Sequence, residues 1–433
     1  MLAERLPPAG GREIVAAIGE GRMPGKEASS GSGQVRFEGS RGALFGLTLR
    51  GYMMMVPTIG LYRFWLVTRK RRLYWNNTIV DGDALEYTGS AVQLLIGFLF
   101  ALGFFLPLYI AFFYLSTQSQ EVAILGYAGV ATLLWFLTGY AQYRARDFRL
   151  SRTLWRGIRF DQRGSAWGYA LRRFLWSLLM VVTFGLVYPW MAASLWRYRY
   201  RHTWFGNRQF GISGTWRQLA GPFYLAYFGT ISLVIGWLIY VAASGDYREI
   251  GELQNFPVPG TVSVIAAGAA LTAITFLHRR YRARTLTRML SSVTIGEARL
   301  SVAVSARTLF GQVSLYGFVL FGVFLTLAIL AAVVAAVFFA NQTMVQGSLD
   351  MTDLSRIFQN GWLGLLLIVV SYLAIFGTLG IVGEVILAYG LWRAVAEGTT
   401  IENIDSLRSV RAAGEDRSLA GEGLADALNV GAY

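Results

Sequence analysis

The chain has 433 residues, of which 55% are hydrophobic and 15% aromatic, and its formal net charge is +14 at pH 7. This composition excludes an ordinary water-soluble globular protein, because several apolar runs reach the roughly 20 residues that a helix needs to cross a bilayer. Cysteine is absent and His202 and His278 are the sole histidines, which excludes thiol chemistry and leaves little material for a histidine metal site. We therefore expect no cofactor, no bound metal and no enzymatic activity.

Both ends of the chain have the composition of polar tails. Residues 1–34 are rich in Gly, Pro, Ser and charged residues and lack the apolar stretch of a signal peptide. We expect a disordered cytoplasmic tail at 1–34 and a membrane domain at 35–396. A second cytoplasmic tail is expected at 397–433, where Gly and Ala are interspersed with acidic residues.

Eight apolar segments follow one another between the tails. Lipid offers no hydrogen-bond partners, so a segment in the bilayer must satisfy its own backbone polar groups, as an α-helix does. The sequence therefore predicts an all-α polytopic membrane protein. The segments are 43–67, 91–115, 121–142, 171–196, 219–243, 258–278, 310–340 and 362–395.

The connections between these segments differ in charge. Those at 116–120, 244–259 and 341–360 carry little positive charge, and the latter two contain acidic residues. Four others are strongly basic, and the positive-inside rule places them, with both termini, on the cytoplasmic side of a bacterial inner membrane. Their cations are Arg69, Lys70, Arg71 and Arg72; Arg144, Arg146, Arg149, Arg152, Arg156, Arg159 and Arg163; Arg197, Arg199, Arg201 and Arg208; and Arg279, Arg280, Arg282, Arg284 and Arg288.

Two segments conflict with simple crossings, because 43–67 and 171–196 each join two stretches that are expected in the cytoplasm. Each contains a Thr-x-Gly sequence, beginning at Thr58 or Thr183, and a nearby proline that interrupts or kinks a helix. A re-entrant pair of half-helices would remove the conflict, whereas a kinked crossing would leave some arginines outside. The sequence predicts six spanning helices with two re-entrant segments, or eight spanning helices.

The third Thr-x-Gly sequence begins at Thr378, in a run long enough to span the bilayer. We expect this segment to cross from the outer connection at 341–360 back to the cytoplasm. Its Thr-x-Gly predicts a helix break like that of the first two copies.

Short β-prone pieces recur beside the basic helix ends. Alternating β-branched and polar residues around a turn predict short hairpins, and several hairpins that pair with one another are more stable than one alone. We expect them to form a small cytoplasmic β-layer, the alternative being independent irregular loops. The pieces are 35–40, 78–90, 158–165, 205–215, 293–302 and 399–403.

A set of short sequences near the start resembles a known family. These are Phe37-Glu38-Gly39, the stretch from Thr58 to Trp65, the run from Arg71 to Thr78, and Glu86-Tyr87-Thr88-Gly89. Together they resemble the YjgN-like bacterial inner-membrane proteins, a domain of unknown function, over roughly Val35 to Arg393. The resemblance implies an inner-membrane location and supplies no activity. Later copies depart from the pattern, since Pro189 and Glu384 stand where the first copy has Phe64.

Glu384 is the sharpest candidate for a functional side chain. It lies in an apolar run, and carboxylates within a membrane usually line a cavity or meet a partner. It is a candidate for proton coupling or cation binding, or for an ion pair at the cytoplasmic edge, since Arg393 follows nine residues later.

Two arginines and three threonines complete the candidate substrate-binding set. Arg50 and Arg63 flank the first Thr-x-Gly and could hold an anionic substrate or lipid headgroup, pair with Glu384, or extend to the interface. Thr58, Thr183 and Thr378 could offer hydroxyls to a cavity or bond the backbone one turn back.

Repeats, helix breaks and a membrane carboxylate favour transport or translocation of a small or lipidic solute. The alternative is a non-catalytic scaffold or regulator that binds anionic lipids or partner proteins through a basic cytoplasmic face. The arginines are interleaved with Trp and Tyr, which beside apolar helices indicates membrane topology rather than nucleic-acid binding. We expect membrane lipids with anionic headgroups as partners, and the sequence leaves a protein partner or a homo-oligomer open.

Overall fold

A computed structural model of the protein describes residues 31–245, 247–248, 258–346 and 361–413. Ten short strands form a closed antiparallel barrel, from which helices extend. The barrel strands are β1 (Gly33–Phe37), β2 (Thr78–Val80), β3 (Asp83–Tyr87), β4 (Thr153–Trp155), β5 (Ile158–Gln162), β6 (Thr203–Phe205), β7 (Arg208–Ile212), β10 (Val293–Ile295), β11 (Ala298–Val302) and β12 (Thr399–Glu402). Two further strands, β8 (Tyr247–Arg248) and β9 (Val258–Pro259), pair with each other.

The helices extend from the barrel in pairs. They are α1 (Arg41–Met55), α2 (Arg63–Asn76), α3 (Ala91–Leu115), α4 (Gln120–Ser151), α5 (Ala166–Val182), α6 (Tyr188–Arg201), α7 (Trp216–Ser244), α8 (Thr261–Leu290), α9 (Ala306–Gln346), α10 (Gly361–Val382) and α11 (Tyr389–Glu397). A π-helical segment, Gly383–Ala388, joins α10 to α11 into one interrupted helix, and a 3₁₀ helix, Ile404–Ser409, follows the last strand.

The predicted all-α fold class is wrong, because the β-prone pieces form a closed barrel rather than isolated hairpins between helices. They do pair with one another, as the expected β-layer required. Closure joins the two ends of the domain: β1 pairs with β2 through Val35 and Val80, and with β12 through Gly33 and Ile401. Strands of three to five residues give little periodicity, so their sequence indicated hairpins but not the pairing between distant ones.

The barrel is built from five repeats of one unit, strand–helix–helix–strand. Each unit leaves the barrel at one rim and returns to the neighbouring strand at the same rim, because the two strands are antiparallel. In every unit the backbone N–H just after the first strand donates to the carbonyl just before the second. The five bonds are Glu38 to Asn77 (2.9 Å), Thr88 to Arg152 (2.9 Å), Arg163 to His202 (2.7 Å), Ser213 to Ser292 (3.0 Å) and Ala303 to Gly398 (2.8 Å).

A threonine marks the point where four of the returning helices become strands. Its hydroxyl donates to the carbonyl four residues earlier, which satisfies an acceptor at the helix end that has no intrahelical partner. The four bonds are Thr78 to Tyr74 (2.7 Å), Thr153 to Arg149 (2.8 Å), Thr203 to Arg199 (2.8 Å) and Thr399 to Val395 (2.6 Å). In the fourth unit Ser292 instead donates to the Met289 carbonyl, at 2.7 Å.

Three of these threonines also accept a hydrogen bond from the neighbouring unit. The indole Nε1 of Trp392 donates to Thr78 (3.0 Å), that of Trp75 to Thr153 (2.8 Å), and Nη1 of Arg146 to Thr203 (2.9 Å). At these three junctions one hydroxyl therefore ends its own helix and also binds the unit that precedes it around the barrel.

The barrel interior is a packed hydrophobic core. Along β1, Val35 and Phe37 are buried while Gln34 and Arg36 are exposed, the alternation of a strand with one face inward. Aromatic rings from both ends of the barrel fill the interior, and the segment after β12 packs against them at the opposite rim. The buried residues include Tyr74, Trp75, Tyr87, Trp155, Phe205 and Phe210, with Ile404, Leu407 and Val410 at the closed end.

The opposite rim consists of tight turns that carry charges of both signs. Arg156, in the turn between β4 and β5, pairs with Asp81 at 3.0 Å and also hydrogen-bonds Asp83. The hydrogen bond to Asp83, followed by that to Asp81, raises the pKa of the Arg156 guanidinium. Arg408 pairs with Asp405 at 3.0 Å.

Two helix pairs are short and three are long. In the first short hairpin, α1 and α2 have 15 and 14 residues, and in the second, α5 and α6 have 17 and 14. At a 1.5 Å rise per residue these helices measure about 21–26 Å, less than the roughly 30 Å hydrocarbon core. Both hairpins return to the rim they left, the geometry of a re-entrant segment rather than a kinked crossing.

Six helices in the described part of the chain are long and apolar enough to cross a membrane. They belong to the three long pairs, and few of their residues are buried within the protein. These helical stretches are Ala91–Leu115, Gln120–Ser151, Trp216–Ser244, Thr261–Leu290, Ala306–Leu330 and Tyr372–Glu397. The chain is therefore compatible with a multi-pass membrane protein.

The helices form a closed ring above the barrel. Each of α1 to α9 contacts the helix that follows it in the chain, and α10 contacts both α9 and α1. The two short hairpins make this ring lower where they lie, since their tips end at residues 56–62 and 183–187. The apolar tips are open to the surroundings, with Ile59 94% and Phe184 84% exposed.

Several sequence expectations concern residues without a described structure. Outside the described residues lie 1–30 of the predicted tail at 1–34, 414–433 of the predicted tail at 397–433, and most of the acidic connections at 244–259 and 341–360. Residues 33 and 34 belong to β1. The boundary at 397 differs from the structure, since Thr399–Glu402 is the last barrel strand and Ile404–Ser409 helps to close the barrel.

Candidate functional site

A buried ion pair connects the first short hairpin to the interrupted helix of the fifth unit. Lys70 Nζ on α2 lies 2.8 Å from Glu384 Oε2 on the π-helical segment, and the two side chains are 12% and 10% exposed. The hydroxyl of Tyr74 donates to the other carboxylate oxygen, Oε1, at 3.2 Å. We call Lys70, Tyr74 and Glu384 the Lys70–Glu384 site.

Local helix geometry brings these groups together. Lys70 and Tyr74 are four residues apart and therefore point from the same face of α2. Glu384 is the second residue of the π-helical segment, whose wider turn is a recurrent feature of functional sites. The Tyr74 ring packs against Phe37 and Trp392, at centroid distances of 6.1 and 5.2 Å, which anchors the site to the barrel core.

Glu384 has the ion pair that the sequence offered as one of its alternatives, but with a different partner. Arg393 instead pairs with Glu397 at 2.7 Å, and both of those side chains are about half exposed. Lys70 was counted among the basic residues that set topology, and its role as partner was missed. A signal was present: of the 39 lysines and arginines, two are lysines, and Lys70 is the only one after residue 26.

Tyr52 extends the site along α1. Its hydroxyl lies against Gly380 on α10, where a Cβ atom would collide with the phenol oxygen. Glu384 and Arg63 are both close enough to Tyr52 to interact with it electrostatically. The structure therefore brings Glu384 and Arg63 to the same neighbourhood.

Arg50 lies in a separate groove between α1 and α2. The groove has a volume of about 510 Å³, and Gly42, Gly46, Arg50, Tyr62 and Arg69 are among the residues that line it. The Arg69 guanidinium donates to the Tyr62 hydroxyl at 2.8 Å and lies over the same ring. We call this cavity the Arg50 groove.

Two of the three predicted threonines end helices rather than line a cavity. Thr58 donates to the Met54 carbonyl at 2.7 Å, and Thr183 donates to the Leu179 carbonyl at 2.8 Å. The glycine two residues later has φ of +83° or +87°, and its N–H bonds five residues back in each case. Thr-x-Gly is thus a C-terminal helix cap of the Schellman type.

The third copy does not break its helix, contrary to the sequence expectation. Thr378 and Gly380 lie within α10, and the irregular π-helical segment begins three residues after Gly380. Gly380 instead makes room for the Tyr52 ring. Thr378 is partly buried on this helix.

The Lys70–Glu384 site brings together two opposite charges and one further donor, the Tyr74 hydroxyl. Lysine presents a compact ammonium with three donors, whereas arginine presents a planar guanidinium. No group of three or more His, Asp or Glu residues within the described ranges could hold a metal ion.

Comparison with known proteins gives one match. A family model described as a bacterial protein of unknown function (DUF898) matches residues 32–427. No curated protein matches the chain, and no solved structure does.

Proposed function

Since the chain belongs to the DUF898 (YjgN) family of bacterial proteins of unknown function, we propose that it is a non-enzymatic inner-membrane protein that translocates a small or lipidic solute. The family resemblance seen in the short sequences near the start is thereby confirmed, and it contributes no activity. Support for translocation comes from the geometry of the site and of the helix ring.

Charge supports a cytoplasmic barrel in this proposal. The helix ends next to the barrel carry the four arginine clusters, whereas the connection between α3 and α4 at the far end, Ser116–Ser119, has no cation. The positive-inside rule then orients the barrel toward the cytoplasm. Both described ends of the domain belong to that side, since the Ile404 N–H donates to the Gly31 carbonyl at 3.0 Å.

The observation that carries the proposal is the Lys70–Glu384 ion pair. Lys70 belongs to the basic cluster at the helix end, whereas Glu384 lies in an apolar run, where carboxylates are costly and usually mark a pathway or meet a partner. This pair joins a short hairpin, which has few contacts at its tip, to a helix with a π-helical interruption. Neutralising the pair would remove one of the contacts that hold the hairpin against the fifth unit, and we expect the arrangements with and without this contact to be the two states that transport needs.

The low positions of the helix ring support a lipidic solute. At the two short hairpins the ring of helices is lower than at the three long pairs, so the space above their tips is open to the bilayer from the side. The barrel core below is filled with aromatic side chains and offers no straight aqueous path along its axis. A solute that enters from the bilayer fits this geometry better than one that enters through the barrel.

Vesicles that contain the purified protein and a fluorescent phospholipid test this function. We expect the wild type to accelerate exchange between leaflets, read as the fraction of probe that an impermeant reductant quenches. Replacing Lys70 by Met together with Glu384 by Gln removes both charges without leaving one unpaired, and we expect it to slow exchange by at least about tenfold.

Arg393→Gln is the matched control, because it breaks an exposed ion pair in the same helix and should leave exchange unchanged. Translocation is contradicted if wild-type vesicles exchange lipid no faster than protein-free vesicles and take up none of a panel of small solutes. If the double variant exchanges lipid as fast as the wild type, translocation does not depend on the Lys70–Glu384 site.

The alternative of a scaffold with a basic cytoplasmic face has less support. At the closed rim, Arg156 pairs with Asp81 and Arg408 with Asp405, whereas Arg208 is exposed beside the turn between β6 and β7. A scaffold that recruits acidic partners through this rim would have few unpaired cations there to use. The arginines instead cluster beside the helices, where anionic lipid headgroups are the nearest ligands.

A further inference from the structure

The Arg50 groove contains hydrogen-bond donors that converge on one space. Within the described part of the chain, the Arg50 guanidinium has no hydrogen-bond or ion-pair partner, and it is exposed to the groove. The Tyr62 hydroxyl accepts from Arg69, which leaves its own proton free to donate. The groove lining contains no carboxylate. Two cations and a hydroxyl donor therefore face a cavity that lacks a counter-charge.

The rest of the groove is apolar or small. Gly42 and Gly46 lie four residues apart on one face of α1, and a Cβ at either would meet no atom within 4 Å. Leu66 and Leu73 line the groove from α2. Its volume of about 510 Å³ lies within the usual range of small-molecule sites. The glycines thus leave an open floor between apolar walls.

We propose that the Arg50 groove binds the phosphate headgroup of an anionic phospholipid. The phosphate accepts hydrogen bonds from Arg50, Arg69 and Tyr62, since guanidinium groups match phosphate oxygens in geometry and charge. The acyl chain lies over the glycine floor and the outward face of α1, where Phe45 and Met53 are 47% and 64% exposed. A free phosphate would use the donors and leave these apolar walls uncovered. The inference rests on the membrane placement of the proposed function but not on translocation.

Titration of the purified full-length chain in detergent with phosphatidylglycerol tests this proposal, with bound lipid counted by native mass spectrometry. We expect one site that binds phosphatidylglycerol at least about tenfold tighter than phosphatidylcholine. Arg50→Gln and Arg69→Gln should each weaken binding by about tenfold, the value of one charge-assisted hydrogen bond. Gly46→Leu should weaken it similarly by filling the floor without a change in charge.

Arg172→Gln is the matched control. Arg172 occupies the second short hairpin, where it lines a smaller cavity of about 410 Å³ as a single cation, with its guanidinium over the Tyr198 ring, 5.0 Å from the centroid. Its loss should leave phosphatidylglycerol binding within about twofold of the wild type. Binding is compared only among variants whose thermal-unfolding midpoints match that of the wild type. If an arginine variant fails to fold, Gly46→Leu still tests the groove.

Three outcomes overturn the inference. The first is equal affinity for phosphatidylglycerol and phosphatidylcholine. The second is an equal loss for Arg172→Gln and Arg50→Gln, which would show a general effect of charge. The third is displacement of the lipid by inorganic phosphate at matched concentration, which would make the groove a site for free phosphate. None of these measurements depends on lipid exchange, so failure here and failure of translocation are separable.

Discussion

The lysine of the Lys70–Glu384 site differs chemically from every other cation in the described chain. All other cations in the membrane-facing helices are arginines, which keep their charge under physiological conditions. Position 70 holds the one lysine of the described residues, a compact ammonium that lies 2.8 Å from a carboxylate.

Removing one charge of this pair should lower the stability of the protein more than removing both. Glu384→Gln leaves the 12%-exposed Lys70 ammonium without its counter-charge, and we expect a loss of about 3 kcal/mol in the free energy of unfolding. The variant with both Lys70→Met and Glu384→Gln should recover at least half of that loss, because no charge remains buried alone. Thermal unfolding in one detergent measures this coupling, and strictly additive losses would contradict it.

The junction threonines make a second prediction for single residues. Thr153→Val deletes a hydroxyl that donates to Arg149 and accepts from Trp75, and it leaves a buried indole N–H without its acceptor. We expect a loss of about 2 kcal/mol in unfolding free energy. Thr153→Ser keeps the hydroxyl and should lose less than half as much. Equal losses for the two variants would show that the methyl group, not the hydroxyl, stabilises the junction.

At the scale of elements, Thr-x-Gly is a local motif, and whether it ends its helix depends on the residues that pack against it. After Thr58 and Thr183 the next two residues adopt positive φ and the helix ends. After Thr378 the helix continues, with Gly380 against Tyr52. The sequence predicted the first two breaks because Pro57 and Pro189 lie beside them. The continuation of the helix at the third copy could not be predicted, because the contact with Tyr52 comes from a helix more than 300 residues away.

The hairpin turn itself gives an element-level prediction. Gly60 has φ +83° and open space around it, so Gly60→Ala adds backbone strain without a steric collision. We expect it to lower the free energy of unfolding by about 1 kcal/mol. Gly129→Ala, in the interior of α4 with equally open space, should not lower it, since alanine favours a helix. A loss at Gly129 as large as at Gly60 would exclude the turn as the cause.

For the whole molecule, the sequence predicted the membrane helices and the repeated strand pieces but not the barrel. The long apolar runs are strong local signals, and each of the six span-capable helices overlaps one of them. Barrel closure depends on pairings such as Val35 with Val80 and Gly33 with Ile401, which no local pattern encodes. For the same reason Glu384 was found from its unusual setting, whereas Lys70 was masked by the arginines beside it.

The natural absence of cysteine makes the topology directly measurable. We expect a single cysteine at Ser119, between α3 and α4, to react with an impermeant maleimide from outside intact cells. One at Arg208, the first residue of β7 after its turn from β6, should react after permeabilisation alone. Both positions are exposed.

A cysteine at Leu61, in the tip of the first short hairpin, should react poorly under both conditions, because the apolar tip lies within the bilayer. Reaction of this cysteine from outside intact cells would show that the first hairpin crosses fully. Reaction at Arg208 without permeabilisation would reverse the proposed orientation.

The pairing of β1 with β12 also determines when, during synthesis, the barrel can close. A ribosome produces β1 first and β12 last among the barrel strands, so the other nine strands have an open seam until residues 399–402 are made. During that interval β1 and β11 present unpaired backbone edges, which in other proteins invite aggregation or recognition by proteases. The helix pairs are synthesised one after another, but the barrel beneath them closes in a single final step. Chains interrupted before that step therefore have an open barrel, by which a cell can distinguish them from finished ones.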